Sequence, residues 1–296
     1  DNVDAVVIAT PAYAHPFIFE AAVKAHKHVY CEKPAAPDAY GALRMIKAAE
    51  GVKDRSLVMG FQVRHSSAYD EMIRRVHNGD IGKIVAAQLY YNSGGGSGKK
   101  PAVEDDEFRI RHHFQYLALS GGVLNDQAIH VIDVCRAVLN ANPLYAFGQS
   151  SAEGRRFEYG DTHTNYQVIY KYPNDVNVAV QQMSVGTTSG GVCARFFGEL
   201  GTAEANYSGG VFITGPNKWD SGNNNALSDA DALKGKSFIE SIVNGNYINQ
   251  IEDGCNTTLA AIMAREACFE GKKVTWKEIA NGKQRYGDQP DLKQFM

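Results

Sequence analysis

The sequence has no run of about 18 consecutive apolar residues, the length a helix needs to cross a bilayer, so no membrane-spanning helix is expected. It has no basic block either. Its 30 basic and 33 acidic residues are dispersed and leave a formal net charge of −3. That balance offers no footprint for nucleic acid or for an anionic membrane surface. The five cysteines are odd in number and form no C-x-x-C pair, so neither a disulfide framework nor a zinc ribbon is expected. Five buried free thiols are the simpler expectation, and they suit a reducing compartment. The chain also lacks G-x-G-x-x-G leading into a helix. Gly94-Gly95-Gly96 belongs to a Gly/Ser/Lys loop from Ser93 to Lys100, which reads as a flexible or substrate-proximal connection. His112-His113 and Asp161-x-His163 lack further ligands at metal spacing, so no metal is expected.

What is present is a 296-residue chain with 44% hydrophobic and 21% charged residues, enough for two domains with sizeable cores. Residues 4–9 are an apolar run of the kind buried on both faces of a parallel sheet. A helix is expected over residues 16–26, then a strand at His28-Val29-Tyr30-Cys31. Asp38 is placed to cap a helix carrying Leu43, Met45, Ile46 and Ala49. A third strand, residues 56–61, precedes a helix on which Tyr69, Met72, Ile73 and Val76 recur, ending at Asn78-Gly79-Asp80. Alternating strands and helices are the pattern of a doubly wound parallel sheet.

The texture changes near Ile81-Gly82. Residues 83–91 read as one long strand and residues 121–139 as a helix. Strand-like segments follow at 144–150, 163–172, 176–184, 191–198, 202–206 and 210–214, with later helices at 232–244 and 254–269. Closely spaced strands joined by short turns indicate an antiparallel sheet. The expected fold is therefore α/β followed by α+β: the C-terminal half of a Rossmann-type sheet over residues 1–82, then an open, mostly antiparallel sheet with helices over 83–296. The Gly-rich opening of the first unit is expected to lie in about 60 or more residues upstream of this sequence, which would make the chain a piece of a longer product.

Two places carry chemistry. Lys33, in Cys31-Glu32-Lys33-Pro34, sits where a strand ends and a loop begins, and ligands of open parallel sheets bind outside the carboxyl ends of the strands. Asp126 and His130 are spaced i, i+4 and share a face of the expected helix. Lysine, aspartate and histidine together are what is needed to take a proton from a hydroxyl while a hydride leaves the same carbon.

The motifs come in a familiar order. Val7-Ile8-Ala9-Thr10-Pro11 with His15, Lys27 through Pro34, Gly60-Phe61-Gln62-Val63-Arg64 with Tyr69, Gly79 through Ile84, Gly121 through His130, Phe197 through Thr202 and Val274-Thr275-Trp276 resemble the Gfo/Idh/MocA oxidoreductases. The resemblance runs along essentially the whole chain. It implies an NAD(P)-dependent oxidoreductase that moves a hydride between a secondary hydroxyl of a sugar, inositol or related polyol and nicotinamide. By that resemblance His130 is the general acid/base, Asp126 binds and orients the substrate, and Lys33 bridges substrate and cofactor. Thr10, Pro11, His15, Glu32 and Pro34 fall on the cofactor side. Arg64 resembles a cleft arginine, and Arg111 lies on a loop able to reach over the site and set substrate choice. The resemblance also implies a homodimer or homotetramer, and a cytoplasmic location, with export left open. The sequence does not separate NAD from NADP. Two other readings stay open: a relative that retains NAD and cleaves or epimerises glycosides, and a sugar-binding regulator without turnover.

Overall fold

A computed structural model describes residues 2–186 and 190–290. Its first layer is a three-stranded parallel sheet in the order β1-β2-β3, formed by β1 (Ala5–Ile8), β2 (His28–Cys31) and β3 (Leu57–Met59). The crossovers are α1 (His15–Lys24) and α2 (Ala39–Ala49). Asp38 caps α2 as expected, its side chain accepting from the Gly41 amide. The register sets Ile8, Cys31 and Met59 level with one another. The loops that follow, beginning at Ala9, Glu32 and Gly60, therefore emerge along one edge, where a parallel sheet places its ligands. Then α3 (Ser67–His77) leads to the second layer.

The apolar run in β1 is not buried on both faces. Ile8 is buried, but Val7 is 68% exposed. β1 is an edge strand of this sheet, so fewer neighbours cover it than its composition suggests.

The second layer is a nine-stranded sheet whose order is β11-β10-β9-β8-β4-β7-β6-β5-β12. Its strands are β4 (Ile84–Ser93), β5 (Tyr145–Ser151), β6 (Asn165–Lys171), β7 (Asn177–Ser184), β8 (Gly191–Gly198), β9 (Thr202–Asn206), β10 (Val211–Thr214), β11 (Trp219–Asp220) and β12 (Val274–Thr275). Every pairing is antiparallel except β4 with β7. The two-residue strands β11 and β12 have no periodicity to read, and the sequence did not predict them. Inward positions alternate, as with Tyr166, Val168 and Tyr170 on β6.

Between β4 and β5 the chain forms α4 (Asp106–Arg111), α5 (Leu117–Ser120) and α6 (Ile129–Leu139). The continuous helix expected over 121–139 does not form. Gly121 and Gly122 both take φ of +81°, a left-handed conformation that stops α5, and Leu124–Ala128 make a wider π-helical turn before α6 begins. Gly121 also has no room for a side chain: a Cβ there would stand 2.3 Å from Asn125 Nδ2.

After the sheet come α7 (Ala230–Val243), α8 (Ile251–Glu270) and the capped α9 (Trp276–Ala280). α8 is buried along most of its length because it is sandwiched between α2 and β5, with α6 alongside. One contiguous apolar core consequently includes residues of both sheets. All five cysteines are buried free thiols. No helix among the described residues is long and apolar enough to cross a membrane.

Candidate functional site

Lys33 leaves the end of β2 and crosses to the π-helical turn. Its Nζ donates to the Asp126 carbonyl at 2.8 Å and lies 3.4 Å from Asp126 Oδ1, with both side chains mostly buried. Asp126 thus accepts from the lysine at a backbone carbonyl of the π-helical turn. The Lys33-Pro34 bond is cis. A cavity of about 280 Å³ opens at this pair. One wall is Thr10, Pro11 and His15 with Glu32, Lys33 and Pro34, and the other carries His113, Phe114, Ser120 and Asp126.

His15 works as a brace across that wall. It is buried, with Nδ1 2.8 Å from the Pro34 carbonyl and Nε2 2.7 Å from the Thr10 carbonyl. Both partners can only accept, so the neutral ring donates to one of them. Burial pulls its pKa below the usual histidine value while the two carbonyls pull upward. Glu32 points toward α7, where its Oε1 accepts from Tyr30 Oη at 3.1 Å and from Lys234 Nζ at 3.0 Å.

His130 is deeper than the sequence spacing suggests. It is 5% exposed and does not line the cavity. Its ring lies 6.3 Å from Tyr91, 5.5 Å from Tyr207 and 6.5 Å from Phe61, and its buried Nδ1 has no hydrogen-bond partner. Burial, then the charges of Lys33 and Lys234, hold its pKa well below the ordinary value. The neutral imidazole is therefore the favoured form.

Two expected site residues are elsewhere. Arg64 is held by Asp133 (Nε to Oδ2, 2.8 Å) and by Asp253 (2.5 Å), and its guanidinium stands 4.8 Å from the Phe61 ring centroid. Burial opposes its charge, but the two carboxylates hold its pKa above the ordinary value. This network joins α6 to α8 and is not part of the cavity wall. Arg111 is on α4, its side chain 71% exposed and paired with Glu107 at 2.8 Å, one turn earlier. A solvated i, i+4 pair satisfies it.

The loop that the sequence placed over the site does arrive there, through His113 and Phe114 rather than Arg111. His113 Nδ1 is 3.1 Å from the Ile110 carbonyl and so donates. Burial lowers its pKa, while Asp126 raises it. In the neutral ring Nε2 is thus the acceptor. The His-His-Phe sequence signals a loop with polar and aromatic side chains, but nothing local says which of them turns inward.

Among the described residues no group of His, Cys, Asp and Glu could hold a metal ion. Larger concavities, of about 540 and 620 Å³, lie on the outer sheet face and beside Arg109 and Asp288. Neither contains the Lys33–Asp126 pair, so chemistry and not size marks the site.

A short parallel βα unit joined to an open sheet, with a lysine–aspartate contact where the two meet, defines the class. Comparison with known proteins gives the family. The model described as "Oxidoreductase family, NAD-binding Rossmann fold" matches residues 1–61, and the GFO/IDH/MocA C-terminal domain matches residues 69–204. The chain belongs to the Gfo/Idh/MocA family. It is 28% identical over 170 residues to myo-inositol 2-dehydrogenase of Thermotoga maritima, covering 57% of this chain and 46% of that protein. It is 32% identical over 165 residues to scyllo-inositol 2-dehydrogenase (NAD(+)) of Bacillus subtilis, covering 54% and 43%. The matches thus span about half the length of these curated relatives or less. The crystal structure of myo-inositol 2-dehydrogenase from Lactobacillus plantarum superposes with a TM-score of 0.73 over 93% of this chain and 81% of that one, at 22% identity, which establishes the shared fold.

Proposed function

We propose that the protein carrying this chain is an NAD(P)-dependent oxidoreductase acting on a secondary hydroxyl of an inositol, a sugar or a related polyol. The observation that carries this reading is the Lys33–Asp126 contact at the carboxyl edge of the parallel sheet, with the unpartnered, neutral His130 in reach of Lys33's charge.

The cavity fits one end of a nicotinamide cofactor. Its Thr10, Pro11 and Pro34 wall offers apolar surface and backbone at the sheet edge where such groups bind. When bound there, the nicotinamide supplies the hydride acceptor. The chain's own residues handle the proton. Lys33 Nζ donates a hydrogen bond to the reacting oxygen and stabilises charge that develops on it. Asp126 orients the hydroxyl. His130 is the proton acceptor in this reading, and its burial requires the hydroxyl to be delivered to a dry place beside Tyr91 and Tyr207. The names of the inositol 2-dehydrogenase relatives support inositols as the first substrates to try.

We also read the protein as a homo-oligomer, with units over residues 1–82 and 83–296. The outer face of the nine-stranded sheet bears Phe147, 48% exposed, beside Ile169 and Tyr90 in the 540 Å³ concavity. Buried free thiols fit a cytoplasmic location.

The test is oxidation of myo-inositol, scyllo-inositol and a panel of aldoses by the full-length protein with NAD or NADP, followed by nicotinamide absorbance, with mass measured in solution. Reduction of the cofactor by at least one polyol is expected. Stoichiometric cofactor carried through purification without net turnover points to the cofactor-retaining chemistry. Failure to bind either cofactor overturns the reading.

A further inference from the structure

After α9 the chain runs from residue 282 to residue 290 as neither helix nor strand, yet this stretch is tied down at two places. At the first, the Gln284 carbonyl accepts from the Tyr40 amide at 3.2 Å, and the Tyr286 amide donates to Asp38 Oδ2 at 3.0 Å. Asp38 thus serves two segments, because its other oxygen caps α2. At the second, Arg109 of α4 meets Asp288 three times. Its Nη2 donates to the Asp288 carbonyl at 2.8 Å and to Oδ2 at 2.9 Å, and its Nη1 donates to Oδ1 at 3.3 Å. Gln289 Nε2 then donates to the Ala118 carbonyl of α5 at 3.3 Å.

These ties bracket the cavity. Asp38 stands four residues after Pro34, on the chain that forms one wall. Arg109 stands four residues before His113 and Ala118 four residues after Phe114, so consecutive residues of the tail hold both flanks of the turn that forms the other wall. That turn does little to hold itself. α4 has six residues and none of them is buried, and a helix so short has no stability of its own. The Arg109 side chain is mostly buried and stacks on Tyr116, 5.4 Å to the ring centre, so the exposed Asp288 carboxylate docks on a guanidinium already oriented.

We propose that residues 284–289 are a strap that fixes the spacing of the two cavity walls, with Asp288 as its positioning residue: through Arg109 it holds His113 and Phe114 opposite Lys33 and Pro34. The proposal rests on the functional reading above and adds that polyol affinity is set in part from outside the cavity. Tyr286 also covers the buried Arg265, so removing the whole tail would disturb the core. Asp288 lies beyond that contact, which makes it the place to test the strap alone.

The test uses the full-length protein and Asp288→Ala, with two readouts. Hydrogen exchange at the Gln115 and Tyr116 amides, which donate to the His112 and His113 carbonyls, is expected to quicken at least about three-fold, while α8 is unchanged. KM for the polyol that turns over, myo-inositol being tried first, rises at least about three-fold, and kcat stays within about two-fold, because the wall serves binding and not the chemical step. Asp288→Glu keeps the carboxylate and stays near wild type. In an Arg109→Ala background, Asp288→Ala has no further effect, since both remove the same tie. Unchanged exchange at the two amides overturns the proposal, as does an unchanged KM in a protein that oxidises the polyol. If the exchange responds but the wild-type protein oxidises no polyol, the strap stands and the functional reading falls.

Discussion

Replacing Arg265 by Leu should unfold the protein more easily and, before that point, disturb the Lys33–Asp126 contact. Arg265 is 0% exposed on α8. Its Nη1 donates to the Pro37 carbonyl at 2.8 Å and to the Gly121 carbonyl at 2.9 Å, and its Nε donates to Glu266 Oε1 at 2.9 Å. Tyr286 covers the guanidinium, its ring centre 5.1 Å away. Leucine refills the volume but leaves a mostly buried carboxylate without its cation and two carbonyls without a donor. Removing one partner of a buried ion pair costs about 3–5 kcal/mol, and the lost carbonyl bonds fall largely within that figure because the groups act together. Pro37 follows the Lys33-Pro34 segment, and Gly121 precedes the turn bearing Asp126, so one guanidinium ties both sides of the site. The assay is urea denaturation followed by far-UV circular dichroism, paired with steady-state kinetics under native conditions. Arg265→Lys recovers only part of the loss, since an ammonium lacks the planar fork that meets both the carbonyls and the carboxylate. A loss below about 1 kcal/mol in Arg265→Leu would refute the assignment of this residue as the tie.

Other expectations concern the chemistry and the turn. Lys33→Met should lower kcat by at least about 100-fold with the circular dichroism spectrum unchanged, and near-normal turnover would remove Lys33 from the mechanism. His130, whose folded pKa is depressed by burial, makes stability fall with acidification: below about pH 6.5 the unfolded chain takes up a proton there that the folded chain does not. The slope is up to about 1.4 kcal/mol per pH unit until the folded imidazole also titrates, and denaturation of His130→Leu between about pH 7 and 5 should lack that share of it. An identical pH slope in the variant would show that the ring is not held neutral. Gly121→Ala should cost about 2–4 kcal/mol, through left-handed backbone and the collision with Asn125, read as a lowered Tm.

The strands and helices of the first unit were legible because each repeats its own pattern locally, down to the Asp38 cap. Motif order likewise carried Lys33 and Asp126 into one site, although 93 residues separate them. The errors arise where a local pattern meets a tertiary cause. Periodicity gave 121–139 as one helix, yet two glycines in the left-handed region and a wider turn divide it, and it is on that turn that the Asp126 carbonyl accepts from Lys33. The i, i+4 spacing set His130 beside Asp126 but could not show that aromatic rings from β4 and from the turn after β9 would enclose it. Sequence alone could not choose for Arg64 between a cleft and an ion pair, nor say where Arg111 on its loop would point; the structure pairs Arg64 with Asp133 and Asp253 and Arg111 with Glu107.

Lys234 carries no local signal at all, standing in an ordinary amphipathic helix far from the motif it touches. The residues that make the chemistry possible are therefore of two kinds. Those that line the cavity include Lys33 at a strand end and Asp126 on the π-helical turn. Those that brace the segments around it, Lys234 at Glu32 and Arg265 at Pro37 and Gly121, come from α7 and α8, which also pack against elements of the first sheet. The cavity consequently lies where elements of the two sheets meet in one core, and a substitution on either returning helix should register at Lys33 without touching the cavity wall.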